Sequence, residues 1–210
     1  MADDAVAVLD AAGIDQAHIM GASMGGAIAQ IVGVRHPERV RSLVLACTAC
    51  RQPAWRRELL EEWAALARCE DMGTFLHDAA PWLIGPRSMR RFWPAVGVLG
   101  SVAMSLPPAA FIAQVDAINA MDDDMRFELR GIRVPTLVLV GTQDILTPVG
   151  DSEEIASLVP GAELAVIGGA AHGFMFERAA AYNRTVLAFL RDVDRQHAER
   201  AAGAPEGAPA

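Results

Sequence analysis

Ser23 stands in Gly21-Ala22-Ser23-Met24-Gly25, a Gly-x-Ser-x-Gly spacing that can present a hydroxyl as a nucleophile. A serine hydroxyl is inert near neutral pH unless a base takes its proton and an acid orients and charge-stabilises that base. Two residues further along have the right types: Asp144 in Gly141-Thr142-Gln143-Asp144, and His172 in Gly168-Gly169-Ala170-Ala171-His172-Gly173. The chemistry such a set performs is acyl transfer. Competing groups are weaker. Asp116, Asp122, Asp123 and Asp124 read as solvated, and no acid follows the apolar run at 41–46 until Glu58. His18 begins an apolar run, His36 precedes Pro37 at a helix end, His77 lies in a mid-chain helical stretch and His197 in the tail.

The elements that must position these groups are legible around them. Residues 17–22 form a short apolar run that predicts a buried strand, and the Ala/Ile/Val-rich residues 27–36 follow at helical spacing. A sharp strand-to-helix turn holds Ser23 clear of its own backbone. It crowds the positions two before and two after, where Gly21 and Gly25 carry no Cβ. The helix starting just past Ser23 aims free N–H groups at a developing oxyanion, with the Met24 N–H as the natural donor. The bland alternative is a glycine-rich turn that packs tightly or binds phosphate. The phosphate version wants a Lys after its last Gly, and none is present.

Further strands are expected at 41–46, 134–141 and 162–167. Ser23, Asp144 and His172 each follow one of these strands, and in an open parallel sheet such positions gather on one edge. The α/β pattern occupies residues 1–50 and 131–192. Between them, 51–130 has no strand-like run and reads as short helices forming an inserted lid. All four Trp lie there, at 55, 63, 82 and 93. Any one of them is best read as the small core of that segment. Together they suggest an apolar-walled pocket, with Trp55, Trp82 and Trp93 as candidate substrate contacts. A final helix is expected over 174–191, and 193–210 reads as a disordered tail.

Bulk properties exclude several functions. The net charge of −8 opposes a nucleic-acid groove or an anionic membrane surface, and all 18 basic residues are Arg. The acidic start, Met1-Ala2-Asp3-Asp4, is no signal peptide. The uncharged stretch from Arg91 to Asp116 is broken by Pro94, Gly97, Gly100 and Pro107-Pro108, so two apolar lid helices explain it better than a membrane span. A cytoplasmic protein is the default expectation. Cys47, Cys50 and Cys69 read as free thiols, since one Cys-x-x-Cys without a second pair is only half a structural zinc site. No metal or organic cofactor is indicated.

Four segments carry a family resemblance: Gly21-Ala22-Ser23-Met24-Gly25-Gly26; His36-Pro37-Glu38-Arg39-Val40 leading into an apolar strand; Val134-Pro135-Thr136-Leu137 through Asp144; and Ala171-His172-Gly173. They resemble the α/β-hydrolase superfamily, in wording most similar to enol-lactone hydrolases and the cofactor-free haloperoxidase and esterase group. The resemblance implies a mostly parallel sheet with helices on both faces and a helical lid. It also implies a Ser23–His172–Asp144 triad, an acyl-enzyme, and a small apolar ester or lactone substrate. The family pattern has further strands before residue 1, including a His-Gly loop that supplies a second oxyanion donor. The expectation is therefore a fragment of an ordinary hydrolase, whose strand 17–22 would be an open apolar edge. Two alternatives stand beside it: a short protein whose edge is covered in a homo- or hetero-oligomer, and a catalytically dead fold acting as a binding module.

Overall fold

The computed structural model of the chain describes residues 1–69, 72–91 and 107–203. Four strands form one parallel sheet in the order β1 (Ala17–Ala22), β2 (Val40–Ala46), β3 (Thr136–Gly141) and β4 (Glu163–Ile167). The connections carry the helices: α1 (Ala2–Ala11) precedes β1, α2 (Met24–Arg35) follows it, and α7 (Val149–Leu158) joins β3 to β4. Between β2 and β3 come α3 (Ala54–Arg68), α4 (Met72–Leu83), a helical run at 86–91 (α5) and α6 (Pro108–Asn119). Helices α8 (Phe174–Glu177) and α9 (Ala179–Gly203) close the chain.

The central strands are buried on both faces, which is why they read as continuous apolar runs rather than alternating ones. Leu43 and Leu45 of β2 and Val138 of β3 pack with Ala29 and Val32 of α2, Ile155 of α7 and Val159 just past its end. The alternate residues, Val44, Ala46, Leu137 and Leu139, face Phe174, Val186, Phe189 and Val193 of α8 and α9. Helices thus cover both faces of the sheet. Each fully buried Leu contributes about 1.5–3 kcal/mol from removing its side chain from water. The helical segment between β2 and β3 has its own core, in which Trp63 meets Phe75 edge-on at 6.1 Å and Phe75 meets Phe111 at 5.0 Å.

One expectation changes. Residues 193–203 are helical where a disordered tail is expected from the sequence, because α9 runs 25 residues. Val193 is 2% exposed in the core, and Asp194 meets both His18 (3.1 Å) and Arg41 (3.4 Å). The tail expectation for 204–210, the apolar-helix reading of 92–106 and Trp93 lie outside the described residues. Among the described residues β1 pairs only with β2, so it forms one edge of the sheet, and no helix is long and apolar enough to cross a membrane.

Candidate active site

Strand register sets the site. Ala22 lies opposite Ala46, and Ala46 opposite Leu139, so the chain leaves β1, β2 and β3 at one edge of the sheet. The Ser23 N–H extends the ladder by donating to the Ala46 carbonyl at 2.9 Å. Ser23 itself has φ 53° and ψ −120°, a region that costs a non-glycine residue about 1–3 kcal/mol. The turn is held by close approach: a Cβ on Gly21 would lie 2.0 Å from the Gly25 carbonyl oxygen. The steric reading of the two glycines is therefore half corrected. A Cβ on Gly25 would meet nothing within 4 Å, whereas one on Gly26 would sit 2.5 Å from the Thr48 Cβ. The Met24 N–H has no acceptor among the described residues, as expected for the first turn of a helix whose amides face a ligand space.

Asp144 is 4% exposed at the exit of β3, and four donors converge on its carboxylate. Its Oδ1 accepts from the backbone N–H groups of Leu146 (3.0 Å) and Thr147 (2.8 Å), and its Oδ2 from Thr147 Oγ1 (2.9 Å) and His172 Nδ1 (2.9 Å). Thr147 Oγ1 also lies 3.1 Å from His172 Nδ1. Donation from Nδ1 leaves the lone pair on Nε2, the tautomer a general base needs. The loop carrying His172 folds directly over the end of β3, where a Cβ on Gly141 would strike the Ala170 carbonyl oxygen at 2.3 Å. His172 is 6% exposed. The structure thus brings His172 and Asp144 into contact, while the Ser23 hydroxyl makes no hydrogen bond among the described residues.

A cavity of about 500 Å³ opens onto Ser23, Met24 and Thr147. Its apolar wall includes Ala27, Ile28, Leu60, Ile118, Met125 and Leu146, and polar or charged residues, among them Gln52, Arg56, Asp3, Arg35, Asp122 and Glu128, also line it. Of the expected tryptophans, Trp55 and Trp82 are not among its described lining residues. Trp55 stacks on Trp82 with ring centroids 6.1 Å apart, and Trp55 is 41% exposed. Aliphatic and Met side chains from α2, α3 and α6 wall the cavity instead. The sequence reading missed Thr147 and Glu177. Thr147 had a signal, since Asp-x-x-Thr favours a local turn in which the carboxylate accepts backbone N–H groups. Glu177, whose carboxylate accepts from Ala171 N–H (2.9 Å) and Gly85 N–H (3.1 Å), had none.

Cys47 and Cys50 are buried free thiols and Cys69 is exposed. Burial pushes the Cys47 and Cys50 thiols up to about 12, helped at Cys47 by the Asp144 charge and at Cys50 by Glu154 and Asp151.

The sequence and the fold match known proteins. The family model described as alpha/beta hydrolase fold matches residues 1–80. The 2-hydroxymuconate semialdehyde hydrolase of Pseudomonas putida is 32% identical over 208 residues, spanning 93% of this chain and 69% of that protein. The crystal structure of the enol-lactonase from Burkholderia xenovorans superposes with a TM-score of 0.82 at 29% identity, covering 90% of this chain and 71% of that one. An alpha/beta hydrolase from a Medee basin deep-sea metagenome library gives 0.85 at 22% identity, over 90% and 70% of the two chains, which speaks to the fold alone. The chain belongs to the α/β-hydrolase fold family, and its relatives include hydrolases.

Proposed function

We propose that this chain is a serine hydrolase that cleaves a carboxylic ester, lactone or related acyl bond through Ser23, His172 and Asp144. The observation that carries this reading is the buried 2.9 Å hydrogen bond from His172 Nδ1 to Asp144 Oδ2, made at the sheet edge where Ser23 occupies a positive-φ turn. His172 Nε2 takes the Ser23 proton as Oγ attacks the carbonyl carbon. The oxyanion forms against the Met24 N–H, a type of contact typically worth about 2.7–4 kcal/mol. The leaving alcohol collects the proton from His172, and a water activated by the same imidazole then releases the acyl group. Asp144 holds the imidazole in its tautomer and stabilises the imidazolium. The Ser23-to-His172 hydrogen bond forms when substrate fills the site, since catalytic hydrogen bonds are often long or unmade in the free enzyme.

The cavity volume and its largely apolar wall suit a small to medium acyl or lactone group. The similarity to an enol-lactonase supports that substrate class. A fluorophosphonate probe tests the reading. Covalent labelling of the wild-type chain is expected, lost in Ser23→Ala and strongly slowed in His172→Ala. A folded wild-type chain that takes no label would leave the binding-module alternative in its place.

A further inference from the structure

We infer that Glu177 is a positioning residue that fastens the helical segment between β2 and β3 to the loop carrying the base; its role in turnover rests on the serine-hydrolase reading above. The loop 168–173 is Gly-Gly-Ala-Ala-His-Gly, with no side chain before His172 large enough to anchor it. Its backbone is anchored instead. The Gln143 N–H donates to the Ala170 carbonyl at 2.8 Å. On the two sides of His172, Ala171 N–H donates to Glu177 Oε1 (2.9 Å) and Gly173 N–H donates to the Leu83 carbonyl (2.7 Å). The other carboxylate oxygen, Glu177 Oε2, accepts from Gly85 N–H at 3.1 Å. Residues 83 and 85 are the end of α4 and the linker that follows it. One carboxylate therefore bridges two segments about 90 residues apart in sequence, and both tether points flank the imidazole.

A carboxylate suits this position because both of its oxygens accept and neither donates, so two backbone N–H groups can converge on it. A glutamine would turn an N–H₂ group toward one of those donors and keep only one bond. Gly85 is buried beside the same group: a Cβ there would lie 2.9 Å from Glu177 Oε2 and 3.0 Å from Gln143 Oε1, and Gln143 precedes Asp144. The linker thus rests against side chains on either side of the His172–Asp144 pair. Moving the linker moves the base.

The experiment compares Glu177→Ala and Glu177→Gln with wild type in fluorophosphonate labelling rate, kcat and KM for a short-chain p-nitrophenyl ester from pH 5 to 9, and melting temperature. A proton NMR spectrum of the His172 Nδ1–H is recorded on the same samples. Misplacing a reacting group by about 1 Å costs on the order of 10²-fold. Glu177→Ala is therefore expected to lower kcat and the labelling rate by about 10- to 10²-fold, with KM within about threefold. Glu177→Gln should fall between it and wild type. The Nδ1 proton signal should shift or broaden in both variants, which a role in stability alone would not produce. Labelling and kcat within about twofold of wild type would overturn the inference, whatever the melting temperature does. If the wild-type chain takes no label, the hydrolase reading fails by itself, and the Nδ1 signal still decides the positioning role: an unchanged signal in Glu177→Ala and Glu177→Gln rejects it.

Discussion

A methyl group at Gly21 would sit 2.0 Å from the Gly25 carbonyl oxygen, 2.3 Å from its carbon and 2.7 Å from the Gly26 nitrogen. All three are backbone atoms, so no side-chain rotation relieves the contact. Restoring an ordinary separation of about 3 Å requires the turn to open by about 1 Å, carrying Ser23 and the Met24 N–H with it. Overpacking of this kind costs about 1–3 kcal/mol of stability. A shift of about 1 Å in reacting groups costs on the order of 10²-fold in rate. Gly21→Ala should therefore lower the urea midpoint modestly and slow fluorophosphonate labelling of Ser23 by about 10²-fold. Gly25→Ala is the matched control. It lies in the same motif, meets nothing within 4 Å, and sits in the first turn of α2. Alanine is a better helix former than glycine by up to about 1 kcal/mol, so that variant should be as stable as wild type or more so, and should label at a similar rate. Equal damage from the two substitutions, or a Gly21→Ala chain that labels at the wild-type rate, would show that the turn does not owe its shape to this close approach.

Two other outcomes follow from buried groups. A thiol raised to about 12 is thiolate at only about 1 part in 10⁴ at pH 8, and the thiolate grows only as pH climbs toward that value. Maleimide titration of the native chain should therefore modify Cys69 and leave Cys47 and Cys50 unreacted until unfolding, and rapid modification of all three would contradict it. Arg56 is 3% exposed and ion-paired with Asp151, whose carboxyl is raised by burial against the opposing pull of Arg56. Arg56→Met strands that carboxylate and should cost about 3–5 kcal/mol, a fall in Tm of about 6–20 °C. Because a raised carboxyl favours the protonated fold, the deficit should shrink as pH falls. Adding Asp151→Leu should recover most of it, and a single variant melting within 2 °C of wild type would refute the argument.

The amino-acid sequence by itself determined the local grammar of this protein. Continuous apolar runs marked β1 through β4, and Pro37 and the glycine-rich turn marked where helices stop and start. The order Ser23, Asp144, His172, each after a strand, needed only the rule that parallel strands share one exit edge. What tertiary structure decided rests on contacts between segments far apart in sequence, which no local pattern encodes. That Gly21 and Gly26, not Gly25, bear the steric load depends on what passes beside them: the Gly25 carbonyl and Thr48. Where α9 passes the expected end of the helix, Val193 enters the core and Asp194 meets His18 and Arg41, partners more than 150 residues away in sequence. Trp55 and Trp82 spend their apolar surface on each other, so the cavity is walled by smaller side chains. Glu177 has its role only because the loop at 171 and the linker at 85 come within hydrogen-bond reach of one carboxylate, a meeting that folding creates.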